Sequence, residues 1–358
     1  MEELVKETFL NKRVFITGHT GFKGSWLTKM LLTLGAQVKG YALQAASESN
    51  FNLLHLSKDI IHVEADIRDR EKLSKELNDF KPDYLFHLAA QPLVLESYRE
   101  PIYTFEVNYM GTVHVLDALK SLEHACTAVF VTTDKVYQDQ NWDYPYRESD
   151  NLGGFDPYSA SKASSELAIS AYRNSFFNSE SFPEHQKIIV SARAGNVIGG
   201  GDFSANRLLP DILKTIGRNE KLIIRNPDAI RPWQHVLDAC FAYLALAAKL
   251  TVIDQAELPN TYNFAPENND FLTVNDLVQK CIALWGKGEY EVVENMRKQK
   301  ETKVLKLDIS RAKATLGWTP KWSTEVAIAK TIEWQKSYLE NSSATVSLSQ
   351  KQIEEFLS

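Results

Sequence analysis

Cysteine is scarce in this 358-residue chain: Cys126, Cys240 and Cys281 stand far apart. They form no CxxC pair and no Cys/His spacing of a metal site, which argues against a disulfide framework and leaves no metal to expect. The three read as small buried hydrophobes of a reduced, cytoplasmic protein. Long apolar runs are missing too. None approaches the roughly 20 residues that span a bilayer, so no membrane partner is expected. The opening MEELVKETFLNK is charged and reaches a strand almost at once, unlike a signal peptide. No dense Lys/Arg run occurs, and the net charge of −6 argues against a nucleic-acid-binding surface. Repeats and low-complexity segments are also absent.

What is present suits a large buried core: 44% hydrophobic and 24% charged residues, in a chain long enough for one to three domains. In the first half, short apolar runs alternate with amphipathic stretches. RVFIT, AQVKGYAL, DIIHVEA, DYLFHLAA and TAVFVTT read as buried strands. KGSWLTKMLLTLG, REKLSKELNDF and YTFEVNYMGTVHVLDALKSL carry apolar residues at helical spacing. Such alternation predicts an α/β fold, a parallel sheet covered on both faces. A helix from about Tyr158 to Phe177 and the strand KIIVSARAG continue it. After Gly195 regularity weakens. Residues 1–196 are expected to form a nucleotide-binding domain, to which segments near 235–265 return. Residues 197–340 make a smaller mixed domain that binds substrate, and 341–358 a loosely held helical tail.

Two stretches carry chemistry. VFITGHTGFKGSWL follows the first strand and opens a helix, with Gly18, Gly21 and Gly24 spaced GxxGxxG. Glycines there let backbone approach a ligand closely, and the helix N-terminus offers N–H groups to a pyrophosphate, as in Rossmann folds. His19 and Lys23 flank that turn, as ligands or as solvated side chains. The second strand ends in Tyr41 and Ala42 rather than the Asp that holds the ribose of NAD, and no Arg stands there for a 2′-phosphate. Asp66, after the third strand, is placed to meet the adenine amino group, and NAD is favoured over NADP.

The other stretch, VFVTTDKVYQ, ends a buried strand in Thr132, Thr133, Asp134 and Lys135. Downstream, DPYSASKASSE sets Tyr158 and Lys162 four apart on one helix face. A phenol with a pKa of about 10 is a poor base. A nearby ammonium and an oxidised nicotinamide would favour phenolate and let the pair take a proton from a substrate hydroxyl.

These motifs occur in the order found in the extended short-chain dehydrogenase/reductase family, which the chain resembles over nearly its whole length. HLAAQP, Asn108 in EVNYMGT, RAGNVIGGG and RPWQHVLD support the likeness. GHTGFKGSWL, TTDKVYQ, DPYSASK and RAGNVIGGGD most resemble the branch that dehydrates CDP-glucose. The resemblance implies a Rossmann doubly wound sheet, a nucleotide-sugar substrate and a homodimer through the helices beginning near Tyr103 and Tyr158. It also implies bound NAD within reach of Gly18, His19, Gly21, Phe22, Lys23, Gly24, Asp66, Ile67, Ala89, Ala90, Gln91, Asn108, Thr132, Tyr158 and Lys162. Tyr158 would be the base on the 4-hydroxyl, Thr133 a partner of the 4-oxygen and Asp134 the acid at the 6-hydroxyl. Gln91, Asn196, Arg207 and Arg231 would face the substrate, although Arg231 also suits an ion pair with Asp228 or Asp238. Where related dehydratases carry a Glu that removes the C5 proton, this chain has Lys135, as base, as enolate partner or as a group that orients Asp134. A sugar-nucleotide 4-epimerase, and a cofactor-binding module without catalysis, are the alternatives.

Overall fold

The computed structural model describes residues 1–224, 226–252, 259–293 and 305–358. Seven parallel strands form the central sheet: β1 (Arg13–Thr17), β2 (Gln37–Ala42), β3 (Ile61–Glu64), β4 (Tyr84–His87), β5 (Cys126–Val131), β6 (Lys187–Ala194) and β7 (Thr261–Phe264). Their order is β7-β6-β5-β4-β1-β2-β3. The chain reverses direction across the sheet between β1 and β4, and an open α/β sheet binds ligands in the crevice at such a switch.

The inner strands β1, β4 and β5 are mostly apolar and buried because both faces are covered, whereas the edge strand β3 is only half-buried. Val14 and Ile16 join one core cluster with Val129, Val131 and Val190, while Phe15 joins the other with Phe130 and Ile189. Helices α1 (Glu2–Phe9) and α2 (Phe22–Thr33) pack on the first face, and α3 (Arg70–Phe80) on the second. The predicted helix near 103–122 is split into α4 (Pro101–Phe105), a π-helical turn (Glu106–Met110) and α5 (Gly111–Ser121). Asn108, at the middle of that turn, is fully buried. α6 (Pro157–Phe176) lies beside it, on the same side of the sheet.

Beyond β6 the chain builds a further cluster, apart from the two on the sheet faces. Helix α7 (Leu208–Gly217), α9 (Val274–Trp285) and α10 (Thr324–Glu340) enclose Ile212, Leu213, Leu277, Val278 and Ile328. Three short strand pairs edge them, among them Ile230–Arg231 against Leu272–Thr273. Between α7 and α9, helix α8 (Val236–Leu250) returns to the main sheet with every residue buried except Lys249. A helix apolar on all sides belongs in a core. β7 returns as well and pairs with β6 in parallel. Residues 253–258 of that returning stretch lie outside the described residues.

The C-terminal stretch departs from expectation. Helix α11 (Ala344–Leu357) is firmly docked: Ile353, Phe356 and Leu357 enter the main core, and Trp334 Nε1 donates to Ser349 Oγ at 2.9 Å. Its polar composition conceals the docking, because Thr345, Ser349 and Gln352 are themselves buried.

Candidate active site

The glycine turn joins β1 to α2. Gly18 has φ +78°, and a Cβ there would lie 2.6 Å from the Ala89 nitrogen, so only glycine lets this turn seat against the chain leaving β4. A Cβ on Gly24 would come within 2.1 Å of the Gly18 carbonyl oxygen. Gly21 differs. It is exposed, and a Cβ on it would meet nothing nearer than that same oxygen at 3.4 Å. α2 begins there with no side-chain cap and no acid in its first turn. Open space over an uncapped helix N-terminus fits a pyrophosphate.

His19 is not solvated. Its ring fills the space left by Gly40 and shares a hydrogen bond of 2.7 Å with His62 (Nε2 to Nδ1). Burial, then the His62 charge, hold it down to about 3. Lys23 is pushed down to about 8 by burial and by Arg207. At the adenosine side Tyr41 is buried and donates to the Asp66 carbonyl oxygen at 2.9 Å. The Asp66 carboxylate is gripped by Arg68 (Nη2 to Oδ2 2.8 Å), whose hydrogen bonds hold it below the usual range. Arg68 also reaches Glu106 at 2.9 Å, a clasp across 38 residues that no local motif marks in the sequence.

The residues after β4 brace the site. Asn108 Oδ1 accepts from the Gln91 nitrogen at 2.8 Å, and its Nδ2 donates to Ser161 Oγ at 2.9 Å. The Gln91 side chain is turned inward: Nε2 donates to the Leu93 oxygen and Thr104 Oγ1, and Oε1 accepts from the Leu93 nitrogen. Ile67 is buried beneath Gly111. Ala89 and Ala90 stay partly exposed beside the turn.

The polar end of β5 meets α6 at the sheet's middle. Thr132 Oγ1 donates to Glu166 at 2.5 Å. Thr133 Oγ1 donates to Asp134 Oδ1 at 2.9 Å and accepts from the Lys135 nitrogen at 3.3 Å. Asp134 is 2% exposed, and its Oδ2 has no hydrogen-bond partner among the described residues. Burial pushes this carboxyl up, against Lys135, the Thr133 hydroxyl, Arg231 and Lys23. A carboxyl that holds its proton more tightly than usual is suited to act as an acid.

α6 starts where Asp156 caps the Ser159 nitrogen at 3.0 Å and Pro157 fixes the first turn. That start aims Tyr158 and Lys162 under the β5 end. Lys162 Nζ donates to the Val131 oxygen at 3.1 Å and is held down to about 8 by burial, then by Lys23. Tyr158 lies beside them, 8% exposed. Burial raises its phenol to about 12, with the Thr133 hydroxyl and Arg207 pulling the other way. The chain alone therefore keeps the phenol neutral, because desolvation outweighs the cations nearby.

Arg207 precedes α7 and lies 3.5 Å from Asp202, with its charge felt at Tyr158 and Lys23. Arg231 donates to the Ile230 oxygen at 2.8 Å, and its charge is felt at Asp134. Asp238, weighed as its ion-pair partner, accepts instead from the Lys321 nitrogen at 2.6 Å. Asn196 leaves β6 partly exposed, its carbonyl taken by the Gln234 nitrogen at 3.0 Å. Lys23, Asp134, Tyr158, Lys162, Arg207 and Arg231 thus share one electrostatic neighbourhood at the strands' carboxyl ends. Among the described residues no group of three or more His, Cys, Asp or Glu could hold a metal, and no helix is long and apolar enough to cross a membrane.

The sequence model of a family described as GDP-mannose 4,6 dehydratase matches residues 15–331. The CDP-glucose 4,6-dehydratase of Salmonella typhimurium is 43% identical over 99% of this chain and 98% of its own. The dTDP-glucose 4,6-dehydratase 1 of Escherichia coli is 24% identical over 92% and 93% of the two chains. Among solved structures, DesIV, a dTDP-glucose 4,6-dehydratase from Streptomyces venezuelae with NAD and TYD bound, superposes with a TM-score of 0.77 at 24% identity. It aligns over 92% of this chain and 97% of that one. The epimerase Mth375 of Methanothermobacter thermautotrophicus superposes at 0.80 with 22% identity, over 95% and 96%. These two likenesses speak for the fold.

Proposed function

The chain belongs to the GDP-mannose 4,6-dehydratase family, and on that premise we propose that it converts CDP-glucose to CDP-4-keto-6-deoxyglucose and water. C4 is oxidised, water is eliminated across C5–C6, and hydride returns to C6. The observation that carries this reading is Asp134, a buried carboxyl driven toward its protonated form with one oxygen unengaged. A 4-epimerase has no hydroxyl to expel and no use for that acid.

NAD, when bound, would supply the hydride acceptor and donor. The residues divide the rest. The open turn at Gly21 and the α2 N-terminus hold the pyrophosphate, and Lys162 holds the nicotinamide ribose. Tyr158 receives the proton of the 4-hydroxyl once cofactor charge adds to that of Arg207. Thr133, its hydroxyl turned from Asp134 once substrate is bound, donates a hydrogen bond to the 4-oxygen as it becomes a carbonyl. Asp134 protonates the departing 6-hydroxyl. Arg207 and Arg231 take the diphosphate, whose fork-shaped acceptors suit guanidinium. Lys135 serves C5, as base or as partner of the enolate. Lys135→Met should slow solvent exchange of the C5 hydrogen and spare oxidation at C4, and unaltered exchange would refute that role.

Cytidine as the base rests on the Salmonella relative. Residues 1–196, with α8 and β7, form the cofactor domain, and most of 197–340 forms the substrate domain. Ile102 and Leu167, 75% and 62% exposed on neighbouring helices, favour a homodimer, which light scattering would refute by returning a monomer mass. The enzyme works in the cytoplasm, where its three cysteines stay reduced. A panel of nucleotide-glucoses scored for 4-keto product tests the whole reading. CDP-glucose should give product without accumulation of NADH, and an absence of keto product would overturn it.

A further inference from the structure

One helical turn beyond Lys162, on the same face of α6, stands Glu166, 4% exposed. Its carboxylate accepts four hydrogen bonds. Oε1 receives Thr132 Oγ1 at 2.5 Å and Arg193 Nε at 3.0 Å. Oε2 receives Ser191 Oγ and Arg193 Nη2, both at 2.9 Å. Arg193, on β6 and 3% exposed, donates onward to the Tyr137 hydroxyl at 2.9 Å, which donates to Asn263 Oδ1 on β7 at 2.6 Å. A single carboxylate therefore ties the carboxyl ends of β5, β6 and β7 to the helix that carries Tyr158 and Lys162. A buried ion pair is seldom kept for stability alone, since apolar replacements are often neutral or better.

We propose that Glu166, locked by Arg193, is a positioning residue that sets the place of the Thr132–Lys135 turn and keeps Lys162 charged. The role rests on the dehydratase reading above. Lys162 faces groups from four elements. Lys23 on α2 repels it, His87 on β4 is buried and neutral, the Val131 carbonyl on β5 accepts from it, and Glu166 on its own helix attracts it. Glu166 is the anion that opposes Lys23. Removing its charge lets the proton leave Lys162 at lower pH, and an uncharged Lys162 grips a ribose less well.

The test compares Glu166→Gln, Glu166→Asp and Arg193→Lys with the parent chain in NAD titrations and turnover from pH 6.5 to 10. Glu166→Gln should move the alkaline limb of NAD affinity toward acid by about one pH unit and cut turnover about tenfold or more. Glu166→Asp and Arg193→Lys keep the charges but not the fit. They should leave the limb in place while turnover falls. A folded Glu166→Gln protein whose limb matches the parent overturns the proposal. Should that variant not fold, parent-like turnover in both of the others overturns it, and lowered turnover with an unmoved limb supports it. The NAD titration reads Glu166 without substrate, so a parent chain that makes no keto product counts against the dehydratase reading instead.

Discussion

Burial pushes Tyr158 and Asp134 alike toward their protonated forms, which suits an acid and hinders a base. The phenol is held neutral at rest, so the base role proposed for it needs the added charge of bound cofactor. Tyr158→Phe removes one hydroxyl from a packed site. The variant should fold and bind NAD while turnover falls at least about a hundredfold. Activity near the parent's would remove Tyr158 from the mechanism. For Asp134 the same desolvation favours the protonated acid, with Thr133 donating to one oxygen and the other left unengaged. Asp134→Asn keeps the shape without the acid. Rapid quench should therefore trap 4-keto-glucose nucleotide with enzyme-bound NADH, whereas elimination at full speed would place the acid elsewhere. Spacing alone shows that Tyr158 and Lys162 share a helix face. It does not show that the Lys162 ammonium turns to the Val131 carbonyl, because that depends on where a strand 31 residues upstream ends.

At the scale of elements, six of the seven sheet strands are legible as largely apolar runs, because a sheet mostly covered on both faces leaves little polar alternation to confuse them. β7 is not. Its four residues, TYNF, sit in a stretch broken by prolines, and only pairing with β6 makes them a strand. Glu166 could have been found as the next residue on the Tyr158 and Lys162 stripe, but its partner Arg193 lies on a distant strand. α11 misleads for the opposite reason, since a serine- and glutamine-rich surface hides an apolar edge. Ile353, Phe356 and Leu357 together bury side chains worth roughly 5 kcal/mol. Deleting residues 344–358 should therefore lower the thermal midpoint by about 7 °C. A midpoint within about 2 °C of the parent's would mean that α11 is dispensable.

For the molecule as a whole, pH also acts through a group to which the proposed chemistry gives no part. Asp238 joins α8 to the chain entering α10, and burial pushes its carboxyl up to about 7. The folded state holds that proton while the unfolded state releases it above a pKa of about 3.9. Stability from this site is therefore fully present below about pH 4, falls as pH rises toward about 7, and stays lost above that, by up to about 4 kcal/mol. Asp238→Asn can still accept from the Lys321 nitrogen without the ionisation penalty. Its thermal midpoint should exceed the parent's by a margin that widens between pH 5 and pH 8. A constant margin would show that another group titrates.

The placement of β7 also matters before the protein is finished. A ribosome releases the chain from its N-terminus, so β1 to β6 emerge while the strand that borders β6 is still unmade. Through the synthesis of α7 and α8, the nascent sheet shows a row of unpaired N–H and C=O groups along β6, and an open edge invites pairing with another chain. Val190 and Ala192 also lie bare until α8 arrives. A chain stopped at residue 200 should therefore aggregate, and one extended through residue 266 should stay dispersed far longer, as sedimentation of stalled or truncated products would measure. Equal solubility of the two would mean that the half-built sheet shields its own edge.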